Sequence, residues 1–351
     1  MQKIAIIGSG FFGSTCALIL SKFFKVHLFE KKNEILCGAS RANQMRFHLG
    51  YHYPRSLKTI KEVKKAKRSF IRFYGQDIFG KTKNYYGISK VNSKTSYKKY
   101  IKFLKKNNLK FKKISKHDFS NFIEGGIISE EKNLNFFKIK KKILKKIKKS
   151  NIKLNLNTEF KKSMLKNYSK VIIAVYDQNN LVLKKLGFTK HKKHKFELVE
   201  KILIKLPIQY RNKSYMVIDG QFVCLDPYLG TKYHLLSHNK FSKIDVKKSK
   251  YPIFSNKRKK YLNLGLVKKK KISKYNEFIK DGSKYLPFLE NSKYVSSFFV
   301  TRAINLNKEK TDERTNEIKV YKNKVITIFS GKWNTCVDIS NEIKKIILNE
   351  K

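Results

Sequence analysis

The 351-residue sequence is poor in acidic side chains: 25 Asp and Glu stand against 81 Lys and Arg, a formal net charge of +56. It is equally poor in Arg and Ala, with nine and seven of them beside 72 Lys. A surface built to read nucleic acid leans on Arg, whose planar fork grips phosphate and guanine. The shortage therefore argues against a specific nucleic-acid partner. Abundant Lys, Ile, Asn, Phe and Tyr over scarce Ala and Arg is what an AT-rich genome yields with no selection for a ligand. The four cysteines, Cys16, Cys37, Cys224 and Cys336, are widely spaced and form no CxxC pair. That excludes a disulfide framework and a thiolate metal site, so no metal is expected and the thiols read as reduced, in a cytoplasmic protein. No apolar run approaches the roughly 20 residues that span a bilayer. The stretch Met1–Leu20 has the outline of a signal peptide, but Gly8, Gly10 and Gly13 interrupt it and a second apolar strand follows instead of a cleavage site.

What is present can build a core. Hydrophobic residues make up 41%, including 26 Phe and 19 Tyr, which excludes a disordered basic tail. The length suits two domains or one large α/β unit. Lys3-Ile4-Ala5-Ile6-Ile7 reads as a strand and leads into Gly8-Ser9-Gly10-Phe11-Phe12-Gly13. A helix over Ser14–Phe24 follows, then a strand, Val26-His27-Leu28-Phe29, ending in Glu30 with Lys31 beyond it. Strand, GxGxxG, helix, strand and acid in this order form the dinucleotide-binding fingerprint in its required context. Gly8 permits the tight turn, Gly10 lets the backbone approach a pyrophosphate, and Gly13 lets helix and strand pack closely. The helix start offers N–H groups and a positive dipole end to the diphosphate. Glu30 would accept hydrogen bonds from the adenosine ribose, which argues against a 2′-phosphate there. These features alone leave FAD and NAD both open.

The segment from Cys37 to Lys58, CGASRANQMRFHLGYHYPRSLK, is not ordinary Rossmann sequence. It resembles the loop after the second strand in FAD oxidoreductases of the D-amino-acid oxidase superfamily. Within that superfamily it is most similar to L-2-hydroxyglutarate oxidases, in its small residue, Ser and Asn before His-x-Gly-x-x-Tyr, Pro and Ser-Leu-Lys. The resemblance implies FAD as cofactor, with Ser40 and Asn43 along the diphosphate and ribityl chain. It implies that His48, with Tyr51, His52 or Tyr53, lies near the flavin ring. The C-terminal Val325–Phe329 strand, Ser330-Gly331-Lys332-Trp333 turn and Cys336–Leu348 helix resemble the superfamily's last element. They imply a role for Gly331 and Trp333 beside the flavin, and for Lys332 as a cation for negative charge on it. Thr301-Arg302 and Asp312 match the superfamily's arginine and aspartate before the final strands. Arg302 is a candidate for gripping a substrate carboxylate bidentately, or else one half of a structural ion pair.

Between these ends the periodicity predicts helices over Ser56–Tyr74 and Leu134–Lys149, and strands at Ile152–Leu156 and Lys170–Val175. Strand-like runs at Leu198–Leu206, Tyr215–Asp219, Phe222–Leu225 and Tyr233–Ser237 suggest an antiparallel sheet. The expected fold is thus α/β, an FAD/NAD(P)-binding Rossmann-like domain with an inserted, mainly antiparallel β substrate domain. Residues 1–75, 134–177 and 300–351 would form the FAD domain, and 76–133 and 178–299 the substrate domain. The tetralysine Lys268–Lys271 reads as a loop or exposed edge.

The function implied is an FAD-dependent oxidoreductase moving a hydride from a small amine or 2-hydroxy-acid-like substrate to flavin N5. His48, Tyr53, Arg302 and Lys332 are its candidate catalytic residues. The charge would draw small anionic substrates inward, and it leaves peripheral contact with anionic lipid open. Two other readings stand beside it. His48-Leu49-Gly50-Tyr51-His52 also resembles the histidine loop of flavin-dependent nucleotide-sugar mutases. A non-catalytic basic protein binding nucleic acid or membrane would show a steep salt dependence.

Overall fold

The computed structural model describes residues 2–115, 118–306, 311 and 313–349. Asp312 lies outside them. Two sheets organise the chain. The first has six strands, in the order Glu317–Tyr321, Val325–Phe329, Lys170–Ile173, Lys3–Ile7, Lys25–Phe29, Ile152–Asn155. All neighbours run parallel except the Glu317–Tyr321 edge. Its central strand Lys3–Ile7 is apolar and buried after Lys3, as a parallel strand covered on both faces must be. The helix Phe11–Leu20 is buried along its whole length, packed between this sheet and the C-terminal helix Cys336–Asn349.

The second sheet has nine strands and is antiparallel throughout except where Lys213–Ile218 runs parallel to Lys83–Ser89. Its longest members are His194–Lys205 and Lys293–Asn305, paired over their full lengths apart from a bulge. The latter strand crosses residue 300 and belongs to this sheet from end to end. The helices predicted over Ser56–Tyr74 and Leu134–Lys149 form there, whereas the one expected over Ser14–Phe24 is shifted to Phe11–Leu20. Leu57–Tyr74 is capped by Ser56, whose hydroxyl accepts the Thr59 N–H, and it buries Ile60, Val63, Ala66 and Phe70. Phe136–Lys148 is capped by Asn135 and buries Phe136, Ile139, Ile143 and Ile147, its lysines turned outward. The strand foreseen at Leu198–Leu206 begins earlier, at His194. Short helices at Asn179–Lys185 and Tyr275–Gly282 occupy stretches to which the sequence pattern assigned no helix. Among the described residues, no helix is long and apolar enough to cross a membrane.

Candidate functional site

A cavity of about 550 Å³ lies between the two sheets. At one end is the glycine turn. Gly8 sits at φ +96°, and a Cβ on Gly13 would lie 1.8 Å from the Gly8 carbonyl oxygen, so strand and helix meet there at a distance only glycine allows. The turn opens the helix Phe11–Leu20 with Gly10 at its N-cap and no side-chain cap. Glu30, at the tip of the second strand, accepts from Ser9 N–H (3.0 Å) and Ser9 Oγ (2.7 Å) through one oxygen and from Lys32 N–H (3.0 Å) through the other. Lys31 lines the same end. Ser40 Oγ accepts the Phe11 N–H at 3.3 Å, tying the following loop to the helix start, and Asn43 Oδ1 accepts the Met45 N–H.

At the other end the 47–53 loop meets the C-terminal turn. Asn334 Nδ2 donates to the His48 carbonyl at 3.1 Å. Asn316 Oδ1 receives the Gly331 N–H (2.8 Å) and the Thr335 hydroxyl (3.1 Å), holding the turn in place. Trp333 is buried against Phe11, Phe47 and Phe70, with its indole N–H buried and unpartnered in the structure. The Lys332 ammonium lies over the Tyr53 ring, 4.6 Å from its centroid. The imidazole of His48 is surrounded by His52 and Tyr53. Burial, reinforced by Lys332, holds its pKa well below the ordinary value, so it is a neutral base at pH 7. Its Nδ1 has no hydrogen-bond partner and stands 3.8 Å from a Glu131 oxygen.

Gly8, Ser9, Gly10, Phe11, Phe12, Glu30, Lys31, Ser40, Asn43, His48, Tyr53, Arg302, Gly331, Lys332 and Trp333 all line this one cavity, and Gly13 packs behind the turn. Two expectations change. Tyr51 does not face the cavity; its ring is buried against Tyr86 and its hydroxyl donates to the Lys110 carbonyl at 2.5 Å. Of the alternatives for Arg302, the ion pair is formed. Its Nε (2.8 Å) and Nη2 both donate to one oxygen of Glu197. Burial pushes the Glu197 carboxyl up, and Arg302 outweighs it, leaving the pKa low.

A buried polar cluster escaped the sequence reading. Arg46 is 1% exposed, lies over the Tyr86 ring, and donates through Nη2 to Asp226 (2.8 Å) and Ser214 (2.5 Å). Asp226 also receives Asn133 Nδ2, the Ser214 hydroxyl, Gln44 Nε2 and the Cys224 thiol. Beside it Glu131 accepts from the Leu49 N–H (2.7 Å) and the Tyr86 hydroxyl (2.5 Å), and burial raises its pKa. Arg46, Gln44 and Cys224 reach the cavity wall. An arginine two residues from His48 was the only hint in the sequence, and its partner is 180 positions away.

The donor set suits a flavin dinucleotide. The glycine turn is a cradle that any Cβ would fill, the acid stands beside it, and the far end supplies an unpartnered indole N–H and a neutral imidazole.

Comparison with known proteins agrees. Residues 3–130 match the DAO family, described as FAD dependent oxidoreductase. An FAD-dependent monooxygenase of Fusarium mangiferae is 31% identical over 100 residues, which cover 28% of this chain and 27% of that relative. The fold is shared with several solved oxidases and dehydrogenases. L-proline dehydrogenase from P. horikoshii superposes with a TM-score of 0.73 at 14% identity, over 100% of this chain and 94% of that one. L-α-glycerophosphate oxidase from Mycoplasma pneumoniae, determined with FAD bound, gives 0.72 at 17% over 99% and 95%. Glycine oxidase from Geobacillus kaustophilus gives 0.70 at 11% over 99% and 95%.

Proposed function

We propose that this chain, which carries a DAO-family FAD-dependent oxidoreductase domain over residues 3–130, oxidises a small anionic substrate at a carbon bearing an amine or a hydroxyl. The single observation that carries the reading is that the glycine turn, the 40–53 segment and the 331–333 turn meet in one cavity. Bound FAD supplies the two-electron acceptor for that oxidation. The Gly8–Phe12 turn and the start of its helix hold the diphosphate, and Glu30 takes the ribose hydroxyls. Ser40 and Asn43 follow the chain toward the ring. Trp333, with Phe11 and Phe47 behind it, closes the ring end to water. His48, neutral and with an unpaired ring nitrogen, accepts the proton released from the substrate amine or hydroxyl. Lys332 and the backbone of the turn after Gly331 stabilise negative charge beside the ring. The likeness of the 40–58 segment to L-2-hydroxyglutarate oxidases favours 2-hydroxy acids within this class.

The test is direct. Purified protein should show, or acquire from added FAD, a visible flavin spectrum, and one member of a panel of amino acids, 2-hydroxy acids and glycerophosphate should bleach it anaerobically. A chain that never takes up flavin would sink the proposal.

A further inference from the structure

The cavity wall carries several cations, and most are engaged. Arg302 is bound to Glu197, Arg46 to Asp226, and Lys332 lies over Tyr53. Lys243 stands 3.9 Å from Glu197. Lys201 is different. It lies in the middle of the strand His194–Lys205, opposite Phe298 of the neighbouring strand. Side chains alternate along a strand, so Lys201 shares a face with Val199 and Leu203. Leu203 is paired with Leu235, and two residues further along that strand Ser237 faces Cys224. Lys201, Ser237 and Cys224 thus form a polar row on the sheet face that lines the cavity. Among the described residues Lys201 has no hydrogen bond and no ion-pair partner.

We propose that Lys201 is the residue that binds the anionic group of the substrate, with the Ser237 hydroxyl beside it. The proposal rests on the flavin-dependent reading of the cavity and assigns the anchoring role to Lys201, not to Arg302. A largely buried ammonium with no direct ion-pair partner is a cost to the empty protein. Burial accordingly lowers its pKa to about 8, against the pull of Cys224, Asp226 and Glu197 and helped by Arg302. An entering carboxylate or phosphate would remove that cost. Asp226 attracts Lys201 only through space, because its oxygens are taken by Arg46, Ser214, Asn133, Gln44 and Cys224.

The two sources of anion are distinguished by separate titrations, with acetate for a carboxylate and inorganic phosphate for a phosphate. Wild type, Lys201→Met and Lys201→Arg are compared after flavin content and thermal unfolding are checked. Binding is read from the fluorescence of Trp333, the chain's single tryptophan, and from the visible spectrum of the flavin. One of the two anions should bind wild type, at least tenfold more weakly to Lys201→Met and within threefold to Lys201→Arg. Equal binding by wild type and a folded Lys201→Met, or no binding of either anion to wild type, overturns the proposal. Because tryptophan fluorescence needs no flavin, Lys201-dependent binding by a chain that never acquires FAD would uphold Lys201 and sink the flavin reading.

Discussion

The two ends of the cavity are built on opposite principles. The glycine turn is made by taking side chains away: backbone meets backbone at Gly8 and Gly13, and Glu30 spends its oxygens on local N–H and hydroxyl donors. The opposite wall is made by adding charge to an interior, with Arg46, Asp226 and Glu131 brought from distant parts of the chain. Steric exclusion secures the first end, and mutual neutralisation the second. Removing a constraint from the first should therefore act all-or-none on cofactor binding, whereas disturbing the second should cost stability first.

The largest effect is expected at Gly13. A Cβ there would meet the Gly8 carbonyl at 1.8 Å, and backbone cannot give way as a side-chain tip can. Gly13→Val should abolish flavin retention, read as the ratio of visible to ultraviolet absorbance. Gly38→Ala is the control, since nothing lies within 4 Å of its added Cβ. If Gly13→Val keeps its flavin, steric closeness does not govern that end. Next comes Asp226→Ala, which strands the fully buried Arg46. Breaking one side of a buried pair costs about 3–5 kcal/mol, measured by denaturant unfolding. The double replacement Arg46→Met with Asp226→Leu should recover most of it.

The same contrast explains what could be read in advance. The turn, its helix, Glu30 and the 40–53 loop lie within fifty contiguous residues, where short-range spacing carries the geometry. The Val325–Phe329 strand and the turn after it were legible for the same reason. Arg46 and Asp226 are 180 residues apart and Glu131 answers Leu49 from 82 residues away, so only the tertiary fold brings them together. Lys201 was hidden differently. One functional lysine among 72 has no local signature, and the alternation of HKFELVEKILIK allows either face to be the buried one. The helices Asn179–Lys185 and Tyr275–Gly282 are only seven and eight residues long, too short for a periodicity to stand out.

A smaller effect tests the large sheet without touching the cavity. His194 and His234 lie outside the cavity lining, and burial lowers both pKa values to about 4. His234 keeps its Nε2 2.9 Å from the Tyr210 carbonyl, and His194 stacks on Phe329. The unfolded chain takes up protons near pH 6.5 and the folded one does not. Stability is therefore full above that value and lost as pH falls from about 6.5 through 4, by about 3 kcal/mol for His234 alone. Unfolding midpoints measured across that range check the sign. A midpoint that rises on acidification would contradict it.

The smallest effect returns to the glycine end. Glu30→Gln keeps one acceptor oxygen and converts the other to a donor, so the amide cannot accept from both Ser9 and Lys32 N–H groups and still receive a ribose hydroxyl. Losing a charge-assisted hydrogen bond of this kind weakens binding by roughly 1.5–3 kcal/mol. Flavin should then dissociate at least about tenfold more readily, while denaturant stability of the flavin-free chain moves by only about 1 kcal/mol. Flavin affinity is read by titrating FAD into the stripped protein. A variant that lost stability but not affinity would make Glu30 a strut of the turn, like Asp226 on the opposite wall, and the distinction between the two ends would fail at its most sensitive point.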